Sequence, residues 1–298
     1  MFESRPLEVV FLTNFNDYCY RSIPALAQLA DDFAMRLTIA YSSNCNPRSI
    51  DDMKKLEAFF PEADSYARCR RLLMTGDLVD AVNRLAITQP VDLLIAPAAD
   101  PLGFPRIGHR SLRAKLLREA RIPLWSIGRR TKPAKLRSTP RHVGCWVDFH
   151  RGWTSPIGFA REYARATGAD LHILHALPEI HEGRLAPDEQ PLFEDSVVEA
   201  VTKAIGPSPV PMHFHIAESD RKSSRTKLIE TSGADIVFVA DLKPLLPDWI
   251  APKPRLLDEC VCPVVHVPVD TEVPVWRLMQ DTYIPASLEH RLASSGRR

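Results

Sequence analysis

Gly168-Ala169-Asp170-Leu171-His172-Ile173-Leu174-His175 is the stretch on which the fold turns. Just upstream, Ile157 to Ala166 reads as a helix, and Gly168 closes it, because glycine accepts the left-handed turn that ends a helix at little cost. Leu171 to His175 then reads as a short strand, so helix passes into strand within a few residues. Working outward, His142 to Val147 is a strand ending in Asp148. Beyond His175 come a Pro- and acid-rich insertion (178–191), a helix from Val197 to Ile205 and a strand from Met212 to Ile216. A helix from Ser224 to Thr231, a strand from Ile236 to Val239, a helix from Arg255 to Cys260 and a strand from Pro263 to Val267 complete the series.

The first 127 residues carry the same order of elements. Strands read at Leu7–Leu12, Leu37–Tyr41, Arg71–Met74, Asp92–Ala96 and Pro123–Ile127. Helices read at Ile23–Phe33, Ile50–Phe60, Leu78–Ile87 and Leu112–Ala120. Strands alternating with helices predict right-handed βαβ units and a parallel sheet covered on both faces. The order repeats with a period of about 135 residues, which reads as a tandem duplication. The predicted boundaries are 1–128 for the first domain, 129–141 for a basic, exposed linker, 142–268 for the second domain and 269–298 for a tail. The linker region carries Arg129, Arg130, Lys132, Lys135, Arg137 and Arg141 without an acid. In the tail, Trp276, Leu278, Met279 and Tyr283 are expected to pack back on a domain.

Composition narrows the function. Of 298 residues 45% are apolar and 25% charged, which excludes a disordered chain. A net charge of +1 argues against a dedicated nucleic-acid or membrane-surface protein. No apolar run approaches the roughly 20 residues a bilayer span needs, and the first residues lack a signal-peptide pattern, so a cytoplasmic protein is expected. Six scattered cysteines suggest no disulfide framework, and Cys260 and Cys262 read as buried, inert thiols. Glycine is scarce, at 12 residues, and proline abundant, at 26. A chain poor in glycine has few loops able to cradle phosphate.

Several phrases, in order and twice over, resemble the universal stress protein family. Asn14 and Asp148 stand at the family's acidic position after strand one. Gly76-Asp77-Leu78 resembles its Gly-Asp-Pro helix start, and Cys262-Pro263-Val264-Val265 and Ile122-Pro123-Leu124 resemble its Cys-Pro-Val opening of strand five. The resemblance implies an α/β fold of two doubly wound five-stranded parallel sheets in tandem, each in the order 3-2-1-4-5. It also implies that Pro123–Ile127 and Pro263–Val267 pair within the chain through strand five, covering open edges. Homodimerisation and an unidentified protein partner stay open; a membrane or nucleic-acid partner is not expected.

The resemblance implies a nucleotide site of the kind the family's nucleotide-binding members have, between strands one and four, where the winding reverses, with Gly-x2-Gly-x9-Gly-Ser/Thr around the phosphates. Here the matching positions in the first half are Pro97, Asp100, Arg110 and Ser111, of which only Ser111 fits. Pro97 has no N–H to donate, and Asp100 sets a carboxylate against a polyphosphate. In the second half Ala240 replaces the first glycine and Ile250-Ala251 stand where Gly-Ser is expected. The standard ATP cradle is therefore predicted to be lost twice.

The remaining candidates form a ligand or anion pocket: Asp148, Trp153 and Asn14 at the adenine end, and Arg106, His109, Arg110 and Ser111 near a helix start. Gly103 to Ser111 is not a P-loop, since His109 takes the lysine position and the hydroxyl comes one residue late. His213 and His215 share a strand face, His172 and His175 only approximately, and spacing supplies no third ligand. They read as ordinary sheet-face histidines, with no metal site expected. No nucleophile elbow, zinc-protease helix or carboxylate pair is present, so catalysis has no support. The reading is a stress-response regulatory or binding protein with no resident cofactor. The alternative is an ATP- or AMP-binding, slowly hydrolysing switch using a remodelled pocket in one half.

Overall fold

A computed structural model describes residues 5–43, 50–65, 68–98, 112–136, 139–149, 152–177, 190–218, 224–240, 255–274 and 276. In the first half the order is β1 (Leu7–Thr13), α1 (Asp17–Asp32), β2 (Met35–Ser43), α2 (Ile50–Ala58), β3 (Cys69–Thr75), α3 (Leu78–Thr88), β4 (Leu93–Pro97), α4 (Leu112–Glu119) and β5 (Leu124–Ile127). The second half follows as β6 (His142–Trp146), α5 (Thr154–Thr167), β7 (Asp170–Leu177), α6 (Gln190–Ile205), β8 (Met212–Glu218), α7 (Ser224–Thr231), β9 (Ile236–Val239), α8 (Arg255–Glu259) and β10 (Val264–His266). Local chemistry sets the ends. Asn16 caps α1 by accepting from Cys19 N, Asp77 caps α3 by accepting from Val79 N, and Gly168 ends α5 at φ +67°.

The strands lie in the order 3-2-1-4-5-10-9-6-7-8. Every pairing is parallel except one, β5 against β10, where Ser126 faces Val264 and Leu124 faces His266. The two five-stranded sheets expected in tandem are thereby joined into one. A single ten-stranded sheet forms, because the last strand of each half hydrogen-bonds to the other and neither is left as an edge. Both strands are buried along their whole length. Apolar residues on both faces, such as Phe11 against Phe59 on one side and Val10 with Val82 on the other, build cores beneath the helices.

The basic segment between the halves is not a free tether. Its side chains are largely exposed, but Leu136 is buried in a short 3-10 turn, Lys132 N donates to Val261 O, and Lys135 Nζ reaches Gly233 O at 2.9 Å. Lys135 also pairs with Asp235, whose carboxylate accepts the backbone N–H groups of Arg141 and His142 at 2.9 and 3.0 Å. Asp92 does the same work in the first half, accepting from Glu8 N and from both terminal nitrogens of Arg5.

Burial pushes the Asp235 carboxyl up, but Lys135 and the two N–H groups more than offset it and hold it below the usual carboxylate range. The folded chain thus binds fewer protons at this site than the unfolded one. The stability it contributes is complete above the unfolded value of about 4 and lost as pH falls below it. Asp235→Asn is expected to cost about 1–2 kcal/mol near neutrality. In urea titrations the gap from the parent protein should narrow between pH 5 and pH 3, and a gap independent of pH contradicts the assignment.

Candidate functional site

The winding reverses at two places, between β1 and β4 and between β6 and β9. Their surroundings are built alike up to a point. In each half the first strand runs out into a polar residue, Asn14 or Asp148, followed by a phenylalanine in the left-handed region: Phe15 at φ +61° and Phe149 at φ +55°. That conformation costs a non-glycine residue about 1–2 kcal/mol, and the rings that surround each phenylalanine hold it there. Phe15 packs on Tyr41 and Phe59, and Phe149 on Trp153 and His175.

From here the halves diverge. In the first, Asn14 Oδ1 accepts from Asn16 N at 3.2 Å and from Cys19 Sγ at 3.2 Å, so it braces the turn into α1. Asn16 Nδ2 donates to Ala98 O at 3.1 Å, bridging the exits of β1 and β4 across the crevice. Pro97 ends β4 in register with Ile127, and Ala98 N is spent on Ile127 O.

In the second half a cavity of about 530 Å³ opens at the carboxyl ends of β6 and β7, against α6. Trp146, Val147, Asp148 and Phe149 form one side, and His175 and Ala176 the next. Phe193, Ser196, Val197 and Ala200 come from one face of α6, at the i, i+3, i+4, i+7 spacing. Buried His175 points Nδ1 at Val147 O, 2.7 Å away. A carbonyl only accepts, so this nitrogen carries the proton and Nε2 is left as an acceptor. The result is a mainly apolar recess with a carboxylate and an imidazole acceptor on its wall.

Among the expected site residues, Asp148 lines this cavity, Trp153 touches it only through the Phe149 ring, and Asn14 belongs to the other half. Arg106, His109, Arg110 and Ser111, like Asp100 and Ile250-Ala251 of the lost phosphate motif, lie outside the described residues. The α6 contribution went unread because 178–191 looked like an insertion, whereas α6 begins at Gln190. Phe193, four residues before Val197, was the available signal. His172, His213 and His215 lie near the amino ends of their strands, away from the cavity.

The fold and this recess define an α/β chain with a parallel-dominated, doubly wound sheet and a small-molecule-sized cavity near a reversal point. Three solved structures share that fold. A universal stress protein of Archaeoglobus fulgidus aligns over 88% of this chain and 98% of its own, at 14% identity and a TM-score of 0.61. A Pseudomonas aeruginosa protein described as a universal stress protein aligns over 89% and 94%, at 12% identity and 0.61. A functionally unknown protein of the same species aligns over 89% and 93%, at 14% identity and 0.57. No protein-family profile matches the chain, and no curated protein matches it in sequence. No helix among the described residues is long and apolar enough to cross a membrane.

Proposed function

We propose that this chain is a non-catalytic regulatory module of the universal stress protein type, two such units in one polypeptide, that binds a small planar ligand in the second-half cavity. The cavity itself carries the reading. Its volume falls in the range of small-molecule sites, and it is lined by apolar and aromatic side chains with a few polar groups. A flat heterocycle or aromatic ring stacks on Phe149 or Phe193, offers a donor to Asp148 or His175, and needs no phosphate cradle. The Asn16 bridge and the proline at the end of β4 argue against a triphosphate site in the first half.

The test is mass spectrometry of small molecules released by denaturing the purified protein, with AMP and ATP titrations followed by NMR. A released non-nucleotide heterocycle is the expected result. Ala200→Trp, which fills the recess from a half-buried position on α6, should weaken its binding at least about tenfold, some 1.4 kcal/mol. Adenine nucleotide at near-stoichiometric amount overturns this reading in favour of the nucleotide switch. Unchanged Phe149 and Phe193 signals across a panel of planar heterocycles sink both.

A further inference from the structure

The amino ends of β6, β7 and β8 bring together side chains that no single stretch of sequence places near one another. His142 opens β6, Asp170 and His172 lie at the start of β7, and His213 and His215 project from the same face of β8. His142 Nδ1 lies 3.1 Å from His172 Nε2, and His172 Nδ1 lies 2.8 Å from His215 Nε2. Asp170 lies with His142 and His172 so that one ligand atom from each falls within 4.8 Å of the others. His213 Nε2 is 3.4 Å from Asp170 Oδ2.

We propose that His142, His172 and Asp170 form a binding site for one divalent transition-metal ion of borderline softness, with Zn²⁺ as the reference ion. Two imidazole nitrogens on a tetrahedral zinc ion at 2.0–2.1 Å stand about 3.3 Å apart, close to the spacing already present between His142 and His172. The two outer histidines occupy the places that supporting groups take around metal ligands. His172, ligating through Nε2, donates its Nδ1–H to His215, and His213 sits on the carboxylate of Asp170.

In the loaded site His172 keeps its proton on Nδ1, toward His215, and His142 keeps its own on Nε2, so that the two facing nitrogens offer lone pairs to the ion. The backbone of His142 is itself pinned, its N–H held by Asp235. Two imidazoles and one carboxylate leave coordination positions open, and nitrogen donors select Zn²⁺, Co²⁺ or Ni²⁺ over Mg²⁺.

The experiment titrates Zn²⁺ and Co²⁺ into the chelator-treated full chain. One equivalent of Zn²⁺ should bind with 1:1 stoichiometry, raise the melting temperature and be indifferent to excess Mg²⁺. Bound Co²⁺ should broaden the imidazole NMR signals of His142 and His172 while leaving His175, at the far end of β7, sharp. His142→Gln and Asp170→Asn should each weaken Zn²⁺ binding by about 100-fold, and His213→Ala by about tenfold. Failure of the wild-type chain to bind an equivalent of Zn²⁺ overturns the proposal. So does Co²⁺ broadening centred elsewhere, or undiminished binding in folded His142→Gln and Asp170→Asn. The broadening pattern is read on the wild-type protein, so a variant that does not fold leaves the test intact.

Discussion

Asp258→Ala should lower stability by about 3 kcal/mol, far more than the loss of an ordinary surface ion pair. Its partner is the reason. Arg113, on α4 of the first half, is 6% exposed, and its guanidinium donates to Ser126 Oγ at 2.7 Å, to Leu257 O at 3.4 Å and to the Asp258 carboxylate. Leu257 and Asp258 belong to α8 of the second half, so these bonds cross the β5–β10 seam. Removing the carboxylate leaves a buried cation with two neutral acceptors and no counter-charge, and that desolvation penalty dominates. Urea unfolding measures the effect. Removing both charges in Arg113→Met with Asp258→Leu should recover more than half of the loss, because no buried charge is then left unpaired. Strictly additive single losses, or a loss below about 1 kcal/mol for Asp258→Ala, contradict this account.

At the seam the residues' own pattern stops, and pairing of the two fifth strands is expected only from the family resemblance. Leu124–Ile127 and Val264–His266 are buried on both faces and apolar apart from Ser126 and His266, and such a run reads as a buried strand whichever strands lie beside it. Helix and strand identities were legible because each element carries its own period and its own punctuation, as at Asp77 and Gly168. Continuity of the sheet depends on hydrogen bonds between residues more than a hundred positions apart, and no local pattern encodes those. The same holds for the sites. Asp148 could be singled out as a polar residue ending a strand, but its companions Phe193 and Ala200 come from a helix whose first turn was hidden in an acid- and proline-rich stretch. His213 and His215 showed a shared face, while His142 and Asp170 become their neighbours only through the register of β6, β7 and β8.

Tyr163→Ala carries the largest loss expected for a single side-chain truncation, about 3–5 kcal/mol. Tyr163 lies on α5 at 2% exposure, and its ring meets aromatic partners from four separate segments. Phe33, just beyond α1, lies at 5.5 Å, Trp125 of β5 at 6.5 Å, Phe238 of β9 at 5.6 Å and Trp276, beyond β10, at 4.8 Å between centroids. Phe33 and Trp276 also touch each other at 5.0 Å, so the cluster joins both halves and anchors the chain after β10. Trp125 Nε1 and Trp276 Nε1 are buried and have no hydrogen-bond partner among the described residues, so shape and dispersion hold these rings in place. Alanine would leave a void that four fixed partners cannot collapse into. Tyr163→Phe keeps the ring and its four aromatic contacts and should cost less than about 1 kcal/mol. If the ring contacts carry the energy, Trp276→Ala and Tyr163→Ala together should cost less than the sum of the two singles by about 1 kcal/mol or more. Additive losses, or a Tyr163→Phe variant as unstable as Tyr163→Ala, place the energy in the hydroxyl instead of the packing.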